Sequence, residues 1–190
     1  MFFEPTDLRK ADLPLASPTP SAMAYCSPNL GELATMLATI PGTDPLPSIN
    51  MENADDVAPL VAKAAAHLVD HYDLSVVMVT MSELGVLLVR RGGPEDPLPR
   101  SGRPAAPAGA PVSATWYRGA PCPPSEIVSV SGAGDCLAGG FIAAVLRGSD
   151  QAAAVGAGLE AARQSCRVSA AVPATLDVTW TRRAAGVRLL

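Results

Sequence analysis

Gly132, Ala133, Gly134 and Asp135 stand in one run of small residues that ends in an acid, Val130-Ser131-Gly132-Ala133-Gly134-Asp135-Cys136. Where such a run joins a strand to a helix, several backbone N–H groups stay unpaired and aim along the positive end of the helix dipole, which favours phosphate oxygens. Asp135 is then placed to accept a proton from an attacking hydroxyl while the N–H groups hold charge developing on the transferred group. The same residues also suit a tight turn in which Asp135 caps the helix. Two further segments offer polar groups. Asn29 and Glu32, three apart at the start of a helical pattern, share one face and could orient Mg²⁺ through its water shell. A capping box uses that pair as well. Thr80-Met81-Ser82-Glu83-Leu84-Gly85 supplies hydroxyls and a turn after an apolar run, as an ordinary hairpin also does.

The elements that must position these residues follow from periodicity. Phe2 and Phe3 read as a short strand, and residues 24–27 as another that ends where Pro28 and Asn29 start a helix through Leu30, Leu33, Ala34 and Leu37. Val57, Leu60, Val61, Ala64, Leu68 and Val69 recur at helical spacing, which predicts an amphipathic helix over 54–72. Residues 74–80 are β-branched and apolar, the pattern of a strand buried on both faces, and 85–90 predict a second strand after a short turn. Residues 91–124 are rich in Pro, Ala and Gly and predict a loop or partly disordered insertion, with Trp116 and Tyr117 as its one strand-like point. Residues 126–130 predict a strand feeding the glycine run. Two helices follow, 136–146 with small residues on its surface and an Ala-rich one capped by Asp150; 184–190 predict a fraying or docking tail. Strands alternating with helices predict an α/β layered fold in one domain, 1–190.

Composition excludes several functions. A net charge of −4 at pH 7 provides no basic surface for a nucleic acid polymer. Mean hydropathy is +0.24, but Arg, Asp, Gly or Pro interrupts every apolar run before the ~18 residues a membrane helix needs. Four scattered cysteines without C-x-x-C spacing imply free thiols and a cytoplasmic location. His67 and His71, one helical turn apart, lack an evident third metal ligand and read as a solvated face. Cys136, with no paired histidine, reads as packing. A dinucleotide-binding oxidoreductase is disfavoured because Leu137 stands where a third Gly or Ala belongs.

Taken in order, the three polar segments resemble the ribokinase-like PfkB family of carbohydrate and nucleoside kinases. Val128-Ser129-Val130-Ser131-Gly132-Ala133-Gly134-Asp135 is similar to that family's D-T-x-G-A-G-D signature, Pro28-Asn29-Leu30-Gly31-Glu32 to P-N-x-x-E, and Val79-Thr80-Met81-Ser82-Glu83-Leu84-Gly85 to V-T-x-G-x-x-G. The resemblance implies a three-layer α/β/α fold with a mostly parallel sheet, corresponding to the carboxyl-terminal half of such kinases and truncated at the amino-terminal side, without a lid. It implies ATP and Mg²⁺ as cofactors and a sugar or nucleoside as substrate. Asp135 is the implied base for a 5′-hydroxyl, and Gly132, Ala133 and Gly134 the anion hole. Asn29, Thr80, Met81, Ser82, Glu83, Leu84 and Gly85 are implied to line the nucleotide, Leu159 its adenine pocket, and Asn29 and Glu32 the magnesium water shell. Phe3-Glu4-Pro5-Thr6-Asp7 and Ser131-Gly132-Ala133-Gly134-Asp135-Cys136-Leu137 look most like the pseudouridine kinase branch.

Departures from the pattern carry weight. Ser129 and Val130 replace the signature's Asp and Thr, which weakens the case for a monovalent cation site, and Ser82 puts a side chain where the family has glycine, in a crowded place. The family's sugar-binding half is expected to be missing, so this chain should be inactive or weakly active alone and should need an upstream domain or a second copy to cover its apolar surface. A nucleotide-binding or scaffold fragment without turnover is the alternative.

Overall fold

A computed structural model describes the chain except residues 48–52, 101–105, 108, 120–121 and 179–182. It divides into two units, one of residues 1–116 and 187–190 and one of 117–186.

The first unit is built on a sheet of six strands, β1 (Phe2–Phe3), β2 (Tyr25–Cys26), β3 (Val76–Thr80), β4 (Val86–Arg91), β5 (Val112–Tyr117) and β6 (Gly186–Arg188), paired in chain order. β1 and β2 run parallel, as do β2 and β3, whereas β3 and β4 form an antiparallel hairpin pairing Val76 with Arg90 and Thr80 with Val86. Two helices belong to this unit, α1 (Leu30–Leu37) and α2 (Ala54–Tyr72). The β-branched alternation of β3 and β4 sends Val77, Val79, Leu87 and Val89 into a core shared with Leu33 and Met36 of α1 and Val61 and Leu68 of α2. Burying such a side chain contributes about 1.5–3 kcal/mol, so this face holds the unit together.

The alternate residues of β2 to β4 are buried too, including Tyr25, Met78, Leu88 and Arg90. Arg90 is 1% exposed and donates from its guanidinium to the carbonyl oxygens of Asp96 (2.8 Å) and Pro97 (2.9 Å). The Tyr25 hydroxyl donates to the Pro99 carbonyl at 2.5 Å, and burial pushes its pKa upward. The segment after β4 is thereby strapped to the sheet by hydrogen bonds, which its few apolar residues alone could not do.

The second unit is helical, with α3 (Ala133–Arg147) and α4 (Gln151–Ser165). Asp150 caps α4, accepting from the Ala153 N–H at 3.0 Å. The small residues of α3 meet α4 directly. A Cβ on Gly140 would lie 2.8 Å from the Ala157 carbonyl oxygen, and one on Gly158 2.7 Å from that of Leu137.

The structure departs from the sequence expectations in two places. Residues 91–124 are not loop throughout, because β5 runs through them with Ala114 and Trp116 in the core. The tail, by contrast, docks as the sequence allows, as an edge strand β6 followed by the Leu189 N–H donating to the Ala114 carbonyl at 2.9 Å. Residues 126–130 form no strand: the Val128 and Ser129 N–H groups both donate to the single carbonyl of Cys166, and Val128 and Val130 are 62% and 71% exposed. Strand propensity without a partner ladder does not make a strand.

Candidate functional site

In the first unit, parallel pairing brings the carboxyl ends of β2 and β3 side by side. The Thr80 N–H donates to the Pro28 carbonyl at 2.9 Å, and Asn29 and Thr80 form a parallel bridge. Asn29 is the N-cap of α1: its side-chain oxygen accepts from the Glu32 N–H (3.0 Å), and the Glu32 carboxylate accepts from the Asn29 N–H (2.9 Å). That reciprocal pair satisfies two donors that the helix start would otherwise leave unpaired. Glu32 is 4% exposed while Asn29 stands at the surface. An open cleft of about 350 Å³ lies here, lined by Asn29, Leu30, Gly31, Thr80, Met81 and Ser82.

The hairpin turn after β3 divides the expected nucleotide residues by environment. Met81 is fully buried in the core, and Leu84 packs against that core while its carbonyl accepts from the Trp116 indole N–H at 2.7 Å. Ser82 and Glu83 are exposed. Ser82 is therefore not crowded. Its peculiarity lies in the backbone, held at φ 53°, a left-handed conformation that costs a non-glycine residue about 1–2 kcal/mol. Gly85 closes the turn at φ 90°, ψ −135°, which a Cβ would forbid.

In the second unit, the glycine run forms the start of α3. Gly132 is its N-cap at φ 78°, ψ 0°, and no side chain caps the helix. The Ala133 N–H reaches the Val130 carbonyl at 3.3 Å, whereas the N–H groups of Gly134 and Asp135 find no acceptor among the described residues. Asp135 is exposed in this first turn, and nothing lies within 4 Å of where a Cβ on Gly134 would stand. Leu159 sits half-buried on α4. The structure thus groups Asn29, Glu32, Thr80, Met81 and Ser82 in one unit and Gly132, Ala133, Gly134, Asp135 and Leu159 in the other.

Open N–H groups and the absence of side chains around Gly134 suit a phosphate. Direct magnesium ligation is not offered: Asn29 and Glu32 are locked on each other, and no group of three His, Cys, Asp or Glu fit for a metal occurs among the described residues. His67 instead lies 3.0 Å from the Thr43 hydroxyl, and His71 stands edge-on to Tyr72. All four cysteines are free, and burial pushes the Cys26 thiol up, with Glu4 and Glu32 adding to the shift. No helix among the described residues is long and apolar enough to cross a membrane.

Several contributors carried no motif. The Ser27 hydroxyl donates to the Glu4 carboxylate just ahead of the α1 cap. The Ala171 carbonyl abuts Gly132, with the Ser165 hydroxyl donating to it at 3.1 Å. Ser27 follows a strand and precedes the Pro-Asn helix start, a weak positional signal; nothing in the sequence ties Ala171 to Gly132.

Residues 27–177 match the family described as pfkB family carbohydrate kinase. Among solved structures, a ribokinase from Cryptococcus neoformans var. grubii serotype A in complex with ADP is similar at 18% identity and TM-score 0.66, covering 90% of this chain and 49% of its own. A ribokinase from Thermotoga maritima is similar at 18% identity and TM-score 0.57 (90% and 45%). An adenosine kinase from Schistosoma mansoni in complex with 2-fluoroadenosine is similar at 14% identity and TM-score 0.60 (92% and 44%). These likenesses show a shared ribokinase-like α/β fold, and the chain spans less than half the length of each of these three structures. No curated protein matches.

Proposed function

Because the chain belongs to the pfkB family of carbohydrate kinases, we propose that it carries the phosphate-handling side of an ATP-dependent sugar or nucleoside kinase. The observation that carries this reading is the uncapped start of α3, where Gly134 and Asp135 present open N–H groups beside an exposed carboxylate. ATP supplies the phosphoryl group when bound. In a turn shaped by Gly132 and Ala133, the open N–H groups of Gly134 and Asp135 hold the charge that develops on the transferred oxygens, in a helix dipole aligned to stabilise it. The Asp135 carboxylate accepts the proton of the attacking 5′-hydroxyl, a general-base role. Asn29, Thr80, Ser82, Glu83 and Gly85 are the proposed nucleotide contacts of the first unit, their turn supported from the core by Met81 and Leu84, and Leu159 is the proposed adenine contact of the second.

Asn29 and Glu32 do not fit as direct magnesium ligands; they would face its water shell. Pseudouridine is the favoured substrate. The sugar-binding contacts come from chain outside these residues, supplied by an upstream domain or another copy, so that the 190-residue chain alone turns over weakly or not at all. A nucleotide-binding fragment without catalysis is the second reading, favoured by the span of less than half of the similar kinases.

The test is transfer of labelled phosphate from ATP to pseudouridine and to ribose. Nucleotide binding with slight transfer that Asp135→Ala abolishes supports the kinase reading. Binding with no transfer under any completion by a sugar-binding partner supports the second. Vigorous turnover by the chain alone overturns the dependence on a partner.

A further inference from the structure

The glycine turn is held from behind by a residue outside every motif. Gly132 lies so close to the backbone of residue 171 that a Cβ on it would stand 1.9 Å from the Ala171 carbonyl oxygen and 2.6 Å from its carbon. That oxygen is itself fixed: the Ser165 hydroxyl donates to it at 3.1 Å, and the Cys136 thiol faces it at 4.0 Å. Ser165 ends α4 and is 0% exposed, so its hydroxyl is held in place by the packing around it. A rigid helix end therefore fixes a carbonyl, and the carbonyl fixes the turn whose N–H groups open at Gly134 and Asp135.

We propose that Ser165 is a positioning residue for the phosphate-binding turn, acting through the Ala171 carbonyl on Gly132. The proposal rests on the phosphate-site reading above. Removing the hydroxyl takes away the stronger of the carbonyl's two donors and leaves only the Cys136 thiol at 4.0 Å, so the 166–171 backbone relaxes against Gly132. The first-turn N–H groups then lose the orientation that a phosphate requires, while α3 and α4 stay packed through Gly140 and Gly158.

The test uses the whole chain as wild type, Ser165→Ala and Ser165→Cys, titrated calorimetrically with ATP and separately with adenosine, with circular dichroism confirming the fold. Ser165→Ala is expected to weaken ATP about fivefold, the worth of one hydrogen bond, with adenosine unchanged. Ser165→Cys, which keeps a donor on the same stem, is expected to recover part of that loss. Undiminished ATP affinity in Ser165→Ala overturns the positioning role, as does an equal loss for ATP and adenosine. Should Ser165→Ala not fold, Ser165→Cys is read in its place, and ATP affinity equal to wild type then overturns the role. Wild-type protein that binds ATP no better than adenosine overturns the phosphate-site reading itself, and this role with it.

Discussion

Alanine substitutions at two glycines of the same turn should change stability in opposite directions. At Gly132 the added Cβ meets backbone, the Ala171 carbonyl oxygen at 1.9 Å, and no side-chain rotation relieves it. Real Cβ atoms essentially never approach closer than 3.0 Å, so the turn or the 171 backbone must move by 3.0 − 1.9 = 1.1 Å. Alanine also has to adopt φ 78°. Left-handed strain costs about 1–2 kcal/mol and forced overpacking about 1–3, so Gly132→Ala should lose roughly 2–5 kcal/mol. At Gly134 there is no neighbour within 4 Å and the residue is inside α3, where alanine gains up to about 1 kcal/mol of helix propensity. Urea unfolding followed by circular dichroism reads both. Equal stability of Gly132→Ala and wild type, or a larger loss for Gly134→Ala than for Gly132→Ala, refutes the placement of this turn. A titration with ATP adds the functional half: Gly134→Ala should be the more stable protein and the poorer phosphate binder.

Other perturbations probe the first unit. Ser82→Gly should stabilise the protein by about 1 kcal/mol by relieving the left-handed serine, read as a higher urea midpoint at unchanged slope. Asn29→Ala should cost about 1 kcal/mol through loss of the α1 cap, whereas Glu32→Gln, which still accepts the Asn29 N–H, should stay close to wild type. If Glu32 faces the magnesium water shell, that same Glu32→Gln protein should lose affinity for ATP with Mg²⁺ but not for ATP alone in parallel titrations. Burial raises the Cys26 pKa above its ordinary 9.0, so the unfolded chain releases this proton first as pH rises. Stability should therefore be full below pH 9.0 and fall by roughly 1.4 kcal/mol per pH unit above it, and Cys26→Ala should flatten that decline in unfolding curves.

The sequence made legible what local chemistry decides. The helical spacing of Val57, Val61, Leu68 and Val69 marked α2, and the Asn29–Glu32 spacing marked the cap that the structure contains. Where partners are distant in sequence, local chemistry does not decide the structure. β5 was hidden in a Pro- and Gly-rich stretch because Ser113 and Ala114 say little until a core forms around Trp116. Ile127, Val128 and Val130 look like a strand, but the Ile127 N–H turns back to the Pro124 carbonyl and those of Val128 and Ser129 share the Cys166 carbonyl. Ser82 reads as a crowded substitution in sequence, and only its backbone angle reveals a strained, open one. The buttress behind Gly132 depends on a contact with Ala171 that no spacing rule encodes.

The central claim, that the start of α3 receives the phosphates of ATP, is tested most directly by amide chemical shifts of the isotope-labelled chain during an ATP titration. Saturable shifts are expected at Gly132, Ala133, Gly134 and Asp135, together with Thr80 and Ser82, that adenosine does not reproduce at the α3 turn. A folded protein whose Gly132 to Asp135 amides stay unmoved at saturating ATP contradicts it.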